Sequence, residues 1–369
     1  MTGGAVAVEL DDLGFDGGAH VLVKLALAEL PPGAAVAVRG RHPELADQLA
    51  TWCRTEGHRW HLGSDDPGVV GLVERGRAAV ARWVGAERAG GADPGQPGAL
   101  AAVAPASWGL AARGAAVEPG RPAPRFALDT RDELWTDRAS ALYRLAAAGQ
   151  WDPATAIDWA APVADDPRVE AAVVQVMTFL VENEEAALVV PARFLGQVHP
   201  HFREIQQVLA VTVADEARHV EVFTRRATLG GRELALSTVG GRASLQTLLD
   251  EPDFATASFL LSVMGEGTFV ALLAFLERHA PDPLTRRIAH LTRNDEARHV
   301  AFAMAHLERH ATIDPGLRAR LARAVERRHR ELQTTAGLNE EVFDALVLLA
   351  GGDGAPAAVA EGWAHVQAL

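Results

Sequence analysis

The six residues Asp-Glu-Ala-Arg-His-Val occur twice, at 215–220 and at 295–300. Each copy contains Glu-x-x-His. Three residues is close to one helical turn, so Glu216 and His219 share a helix face, as do Glu296 and His299. The repeat extends upstream: Val211-Thr212 precedes the first copy in the register of Leu291-Thr292 before the second, which marks an internal duplication of two helices. Two Glu-x-x-His helices facing each other, joined by one Glu from each of two further helices, form a carboxylate-bridged dimetal site inside a four-helix bundle.

The third-helix Glu is readable from its surroundings. Glu266 stands between Gly265 and Gly267, with Phe259, Val263, Phe269 and Val270 on its face. A carboxylate in so apolar a stripe needs a partner or a metal. It lies 30 residues before Glu296 (296 − 266), which suits two antiparallel helices whose acids meet at one level. The first helix offers Glu182, Glu184 and Glu185. Aligning 178–182 with 262–266 sets Glu182 against Glu266 and Leu188 against Leu272, so Glu182 is taken as the ligand. Glu185, three residues on and on the same face, is the first alternative. Glu184, which has the cleaner apolar stripe (Met177, Leu180, Val181, Leu188), is the second. Asp215 and Asp295 precede the motif glutamates. A metal-bound histidine usually donates its second ring N–H to a carboxylate, so each Asp is expected to hold the histidine of the opposite motif, with Arg218 and Arg298 balancing the acids.

Four long helices must position these residues. The first starts at Asp166-Pro167, an N-cap followed by proline at N1, and runs to about 198, with Pro191 inside it. His199 and His201 form the turn and are read as surface residues rather than ligands. The second helix spans about 202–229 and stops at Gly230-Gly231, the third spans 253–279, and the fourth runs from Asp282-Pro283 to about 311. Further helices are expected over 315–332, 339–350 and 356–367. Before the bundle, a helix over 136–148 leads to an entry segment whose tryptophans, Trp151 and Trp159, read as core anchors. Thr212 and Thr292 are read as bonding back to their own helices.

The N-terminal part alternates differently. Strands are expected over 5–13, 34–38, 59–62 and 69–74, and helices over 19–30 and 43–56, giving a β-α-β-α-β-β unit. Residues 85–125 are rich in Gly, Ala and Pro and read as a linker. The division is therefore 1–84, a small α+β domain; 85–125, a linker; and 126–369, a mainly α bundle with extra C-terminal helices.

Composition narrows the partners. A hydrophobic fraction of 49% supports a large buried core, and a formal charge of −13 argues against nucleic acid or an anionic membrane. The strongest basic run, Arg327-Arg328-His329-Arg330, reads as a solvated helix face. The apolar stretch 259–275 is interrupted by Glu266 and short for a span, so it reads as a bundle helix. The single cysteine, Cys53, suits a reducing compartment. Residues 1–12 show no basic region followed by an apolar one, so the expected location is the cytoplasm.

Two resemblances follow from these residues. Leu10-Asp11 with Gly14, the run 21–25, Leu30-Pro31-Pro32-Gly33, and Trp52-Cys53-Arg54 with Gly57-His58 make the first 75 or so residues similar to the TusA family of small sulfur carriers. That family places Cys-Pro at the start of its first helix, where this chain has Gly17-Gly18. An active sulfur carrier is therefore not expected, and Cys53 reads as a packed small hydrophobe. Residues 130–310, with their two Asp-Glu-x-Arg-His motifs, resemble the ferritin-like diiron-carboxylate superfamily, in particular bacterial multicomponent monooxygenases and ribonucleotide reductase small subunits.

The second resemblance implies two irons, or iron with manganese, bound by Glu182, Glu216, His219, Glu266, Glu296 and His299. It also implies O2 as co-substrate, with Glu216, Glu266 and Glu296 as the carboxylates that shift during catalysis. A reductase small subunit keeps a radical tyrosine one turn after the first motif histidine. That position is Phe223, and the chain's one tyrosine is Tyr143. Arylamine N-oxygenases add a third histidine where this chain has Thr292. The expected function is an oxygenase or oxidase acting on a small organic substrate by hydroxylation, N-oxygenation or desaturation. Its electrons are expected from a separate reductase or ferredoxin, and the assembly is expected to be a homodimer. The alternatives are a ferritin-like iron-handling protein and a non-catalytic partner in sulfur trafficking.

Overall fold

The structure, a computed structural model, describes residues 6–63, 68–120, 123–333 and 340–369. It divides into two compact units, Met1–Ala89 with Gly114–Ala123, and Gly90–Arg113 with Pro124–Leu369.

In the first unit, period-2 alternation places Val36, Val38 and Val73 on one buried sheet face. The strands are β1 (Val6–Glu9), β2 (Ala35–Arg39), β3 (Arg59–Leu62) and β4 (Val69–Glu74), in the order β1-β2-β4-β3. β1 and β2 pair in parallel, as a helical crossover requires, and β4 pairs antiparallel with both β2 and β3. Helices α1 (Ala19–Ala28) and α2 (Leu45–Glu56) bury Ala19, Val23 and Leu27, and Leu45, Leu49 and Cys53, at spacings of four that keep one face on the core. Cys53 is buried, and burial pushes its thiol pKa up to about 11, as befits a packing residue.

The helical unit contains α3 (Ala139–Ala148), α4 (Pro167–Leu195), α5 (Arg203–Ala227), α6 (Val239–Leu249), α7 (Phe254–His279) and α8 (Pro283–Ile313). Three more helices follow: α9 (Leu317–Leu332), α10 (Glu340–Gly351) and α11 (Pro356–Gln367). The long helices α4, α5, α7 and α8 make a four-helix bundle, so the chain is mainly α with a small α+β unit before it. By length and apolar composition α7 could cross a membrane, but it carries buried Glu266 at mid-length. Asp166 and Asp282 cap α4 and α8, accepting from the N–H groups of Arg168 (2.8 Å) and Thr285 (2.6 Å), each with proline at the first helical position.

Two expectations are corrected, and one helix is added. Residues 90–113 are not linker but part of the helical unit: Arg113 is buried and pairs through both terminal nitrogens with Glu204 at the start of α5 (2.7 and 2.6 Å). An Arg inside a Gly- and Pro-rich stretch carries no periodic signal, so composition hid the contact. His199 and His201 are buried rather than exposed. His199 Nδ1 accepts the His201 N–H (3.1 Å), and His201 Nε2 accepts the Ala101 N–H (2.9 Å), so both serve the turn that receives the 90–113 segment. Helix α6 was not anticipated, because Gly240 and Gly241 fall in its first turn; Thr238 caps it, accepting from the Gly241 N–H (2.9 Å).

Helix α7 also contains a π-helical segment, Phe259–Glu266, within its span. The wider winding changes the direction in which Glu266 leaves the helix relative to α-helical register.

Candidate metal centre

The duplication puts Glu216 and His219 on α5 opposite Glu296 and His299 on α8, and all four side chains are buried. Two groups of possible ligand atoms lie within 4.8 Å of one another: Glu184, Glu216, His219 and Glu296, and Glu216, Glu266, Glu296 and His299. Glu216 and Glu296 belong to both groups, so each could serve two ions.

The α4 contributor is thus Glu184, not Glu182. Glu184 is 1% exposed, and its Oε2 lies 3.3 Å from His219 Nδ1. Glu182 is only half-buried and lines a different cavity, beside Phe343 and Leu369. Glu185 is exposed and outside both groups. The stripe of Met177, Leu180, Val181 and Leu188 marks the inward face of α4, and Glu184 lies on it.

Each histidine is held from behind by the aspartate of the other motif. His219 Nε2–H donates to Asp295 (3.2 Å) and His299 Nε2–H to Asp215 (3.2 Å). A carboxylate can only accept, so the proton stays on Nε2 and Nδ1 faces the cluster in both rings. His219 Nδ1 stands 3.1 Å from Glu216 and 3.3 Å from Glu296; His299 Nδ1 stands 3.0 Å from Glu216 and 3.4 Å from Glu296. Arg218 bridges Asp215 (2.5 Å) and Asp295 (3.0 Å), while Arg298 binds Asp295 and stands 3.6 Å from Asp215.

Two further residues complete this layer. Gln150 donates to Asp215 (2.6 Å) and accepts from Arg218 (2.6 Å), and the Trp151 indole N–H donates to Asp295 (2.8 Å) while its ring lies under the Arg218 guanidinium. Both come from the entry segment, so Trp151 does more than anchor the core. The Gly149-Gln150-Trp151 run directly after α3 was the available signal.

The chemistry of the donors fits two divalent cations. Glu184 Oε1, Glu216 Oε1, both oxygens of Glu266, both of Glu296 and His299 Nδ1 are buried without a hydrogen-bond partner among the described residues. Leaving so many polar atoms unsatisfied is costly unless a cation takes them. Charge also closes: four glutamates and two neutral imidazoles balance two divalent ions, and outside them two aspartates balance two arginines.

Without cations the group would have to share protons. Burial, reinforced by the charges of Glu296 and Glu216, pushes the Glu184 and Glu266 carboxyls well above the usual range. Burial opposes the charge on Glu216 as well, yet His299 and hydrogen bonds from Glu184 and His219 hold its carboxyl well below. Burial likewise opposes charging of the two imidazoles, but the surrounding carboxylates raise both pKa values. Metal uptake would therefore release protons.

Two cavities adjoin the cluster. The larger, of about 210 Å³, has Glu184, Glu266 and Glu296 in its wall and is otherwise mostly apolar, with Leu260, Leu261 and Phe269 among its lining. The smaller, about 30 Å³, touches Glu266, His299 and Thr212. Thr292 Oγ1 is buried without a partner among the described residues, which corrects the expectation that it bonds back to its helix. Phe223 packs beside His219, with ring centroids 6.4 Å apart.

His306, two turns beyond His299 on α8, is not part of the cluster. It packs against Phe254 and Phe302, neither ring nitrogen has a partner among the described residues, and burial lowers its pKa to about 3. Between that value and the ordinary 6.5 the unfolded chain binds a proton that the folded chain refuses, so stability falls as pH drops through this window. His306→Leu is expected to stabilise the helical unit by about 1–3 kcal/mol at pH 7. The gain should widen below pH 6.5 by at most ~1.4 kcal/mol per pH unit. Urea unfolding at pH 7 and pH 5 checks this, and a destabilised variant would contradict it.

No family model matches the chain. No curated protein matches it. Among solved structures, an R2-like ligand-binding oxidase with aerobically reconstituted Mn/Fe cofactor is 17% identical, with a TM-score of 0.47, and the match covers 63% of this chain and 93% of that one. A valine-to-isoleucine variant of an R2-like ligand-binding oxidase with Mn/Fe gives 17%, 0.47, 63% and 94%. A glycine-to-leucine variant with Fe/Fe gives 16%, 0.47, 63% and 93%. Likenesses this weak carry no argument about the reaction; the chain's own geometry does.

Proposed function

We propose that the chain is a dimetal-carboxylate oxidase or oxygenase that uses O2 to oxidise a small organic substrate by hydroxylation, N-oxygenation or desaturation. The observation that carries this reading is the junction of the cluster with an apolar cavity: Glu184, Glu266 and Glu296 belong both to the ligand groups and to the cavity wall. An iron-handling protein needs a route for ions, and this wall is predominantly apolar.

Two divalent first-row ions, iron with iron or iron with manganese, would supply O2 activation. The protein's part is positional. Asp215 and Asp295 keep the protons of His299 and His219 on Nε2, Arg218 and Arg298 form ion pairs with those aspartates, and Gln150 and Trp151 fix the aspartates' direction. Glu266, at the end of the π segment, is a carboxylate placed to change orientation, since among the described residues neither of its oxygens, like those of Glu296, is tied by a hydrogen bond. The leucines and Phe269 exclude water from the face where substrate would sit.

Electrons would come from an external reductase or ferredoxin, in the cytoplasm, to a homodimer. The first unit, with its resemblance to the TusA family, is proposed as a docking module. Gly17 and Gly18 stand where that resemblance would put the carrier's Cys-Pro, and the buried Cys53 thiol is unsuited to transfer. Anaerobic loading with Fe(II) followed by a pulse of O2 tests the proposal. A near-ultraviolet absorption change is expected in the wild type; its absence in metal-loaded protein would overturn the assignment.

A further inference from the structure

Among the described residues the larger cavity has one cationic wall residue, and it comes from the basic run that reads as a solvated face. Arg327 follows that reading in part, pairing with Glu251 (2.6 Å). Arg328 does not. It is half-buried on α9 and lines the cavity that reaches Glu184, Glu266 and Glu296. Its Nη2 donates to Ser244 Oγ on α6 (2.8 Å), which fixes the guanidinium plane, while Nη1 is buried with no hydrogen-bond partner among the described residues.

The acids in its neighbourhood leave Nη1 unanswered. Arg328 also lines a second cavity with Asp250, Glu251 and Glu331 and a third with Glu182; among the described residues no hydrogen bond joins any of these carboxylates to Nη1. Burial lowers the guanidinium pKa, opposed only by Glu331, which is the mark of a cation kept from water without a paired carboxylate. A buried N–H pair on a permanent cation is costly to leave unmet. The cavity whose wall Arg328 shares with Glu184, Glu266 and Glu296 is otherwise mostly apolar and, at about 210 Å³, smaller than the ~300–1,000 Å³ typical for drug-sized ligands.

We infer that the substrate is a metabolite-sized organic monoanion whose carboxylate pairs with Arg328 while its apolar body extends toward Glu184, Glu266 and Glu296. This rests on the proposed oxidative site only for what happens to the ligand, since the binding half is made by the protein alone. The cluster, neutral once two divalent ions are bound, offers no net attraction for the anion, whereas Arg328 does. The carbon presented for oxidation is then remote from the carboxylate.

The experiment uses full-length protein, metal-free and metal-loaded, with three matched probes: 3-phenylpropanoate, 3-phenylpropan-1-ol and 3-phenylpropylamine. Dissociation constants are measured by calorimetry for wild type, Arg328→Gln and Arg328→Lys, with metal content determined in parallel. Wild type should bind the carboxylate about tenfold or more tighter than the alcohol in both metal states, and the amine weakest. Arg328→Gln should bring carboxylate and alcohol level while still loading two metals, and Arg328→Lys should restore part of the preference.

Equal binding of carboxylate and alcohol by wild type, or no binding of any probe, overturns the inference. So does a carboxylate preference that survives Arg328→Gln and requires metal, because the ions would then be the anion site. Loss of metal loading in wild type with the Arg328-dependent preference intact would instead overturn the oxidative reading and leave this one standing.

Discussion

Replacing Glu216 and His219 together with alanine is expected to eliminate metal binding at both positions and all O2-dependent change. Glu216 belongs to both ligand groups and His219 supplies the nitrogen of the first, so neither ion retains its donors. Loss of a supporting partner alone typically costs about 10–100-fold in metal affinity; removing two ligands should exceed that. Glu184→Gln should weaken binding severely, whereas Glu182→Gln should load normally, since Glu182 faces another cavity. The helical unit should stay folded, because alanine removes buried charge rather than adding it. Metal analysis after gel filtration, beside far-ultraviolet circular dichroism, separates lost ligation from lost fold. Full metal loading in the double variant would contradict the site.

The second large effect concerns stability. Arg226 on α5 is fully buried and binds Glu170 on α4 through both terminal nitrogens (2.7 and 2.8 Å), Asp282 at the cap of α8 (2.8 Å) and Thr285 (2.8 Å). Three of the four bundle helices meet at this one guanidinium. Arg226→Met would leave buried Asp282 without its cation and Glu170 with only the half-exposed Arg232, 3.5 Å away, and breaking a buried pair in this way costs about 3–5 kcal/mol. Adding Glu170→Gln to Arg226→Met should recover part of the loss by removing one buried charge. The midpoint of the helical unit's urea transition reads this directly. A loss below about 1 kcal/mol would mean that water reaches the network.

Much of the centre was legible because buried charge is conspicuous in an apolar pattern. The duplicated Glu-x-x-His helices and Glu266 declare themselves that way, and the cross-pairing of each Asp with the opposite His follows from what a ligating imidazole requires. The α4 glutamate was misassigned for a physical reason. Aligning α4 on α7 assumed a common α-helical register, but Phe259–Glu266 is wound as a π-helix, so residue offsets do not transfer between the two. The apolar stripe around Glu184 was the better guide, because burial rather than alignment sets which carboxylate faces the bundle.

Gln150 and Trp151 escaped because their partners lie 65 and 144 residues away, beyond any helical period. Arg328 escaped because a basic run reads as solvated until the cavity beside it is seen. In the first unit, the β-α-β-α-β-β order was readable from alternation and from helical spacing of four, and the strand order only from the structure.

The central claim is that this cluster holds a pair of metal ions. The most direct measurement is anaerobic titration of metal-free, full-length protein with Fe(II), following bound metal per chain. Saturation at two equivalents is the predicted result; saturation at none or one, or continued uptake to many ions per chain, would contradict it.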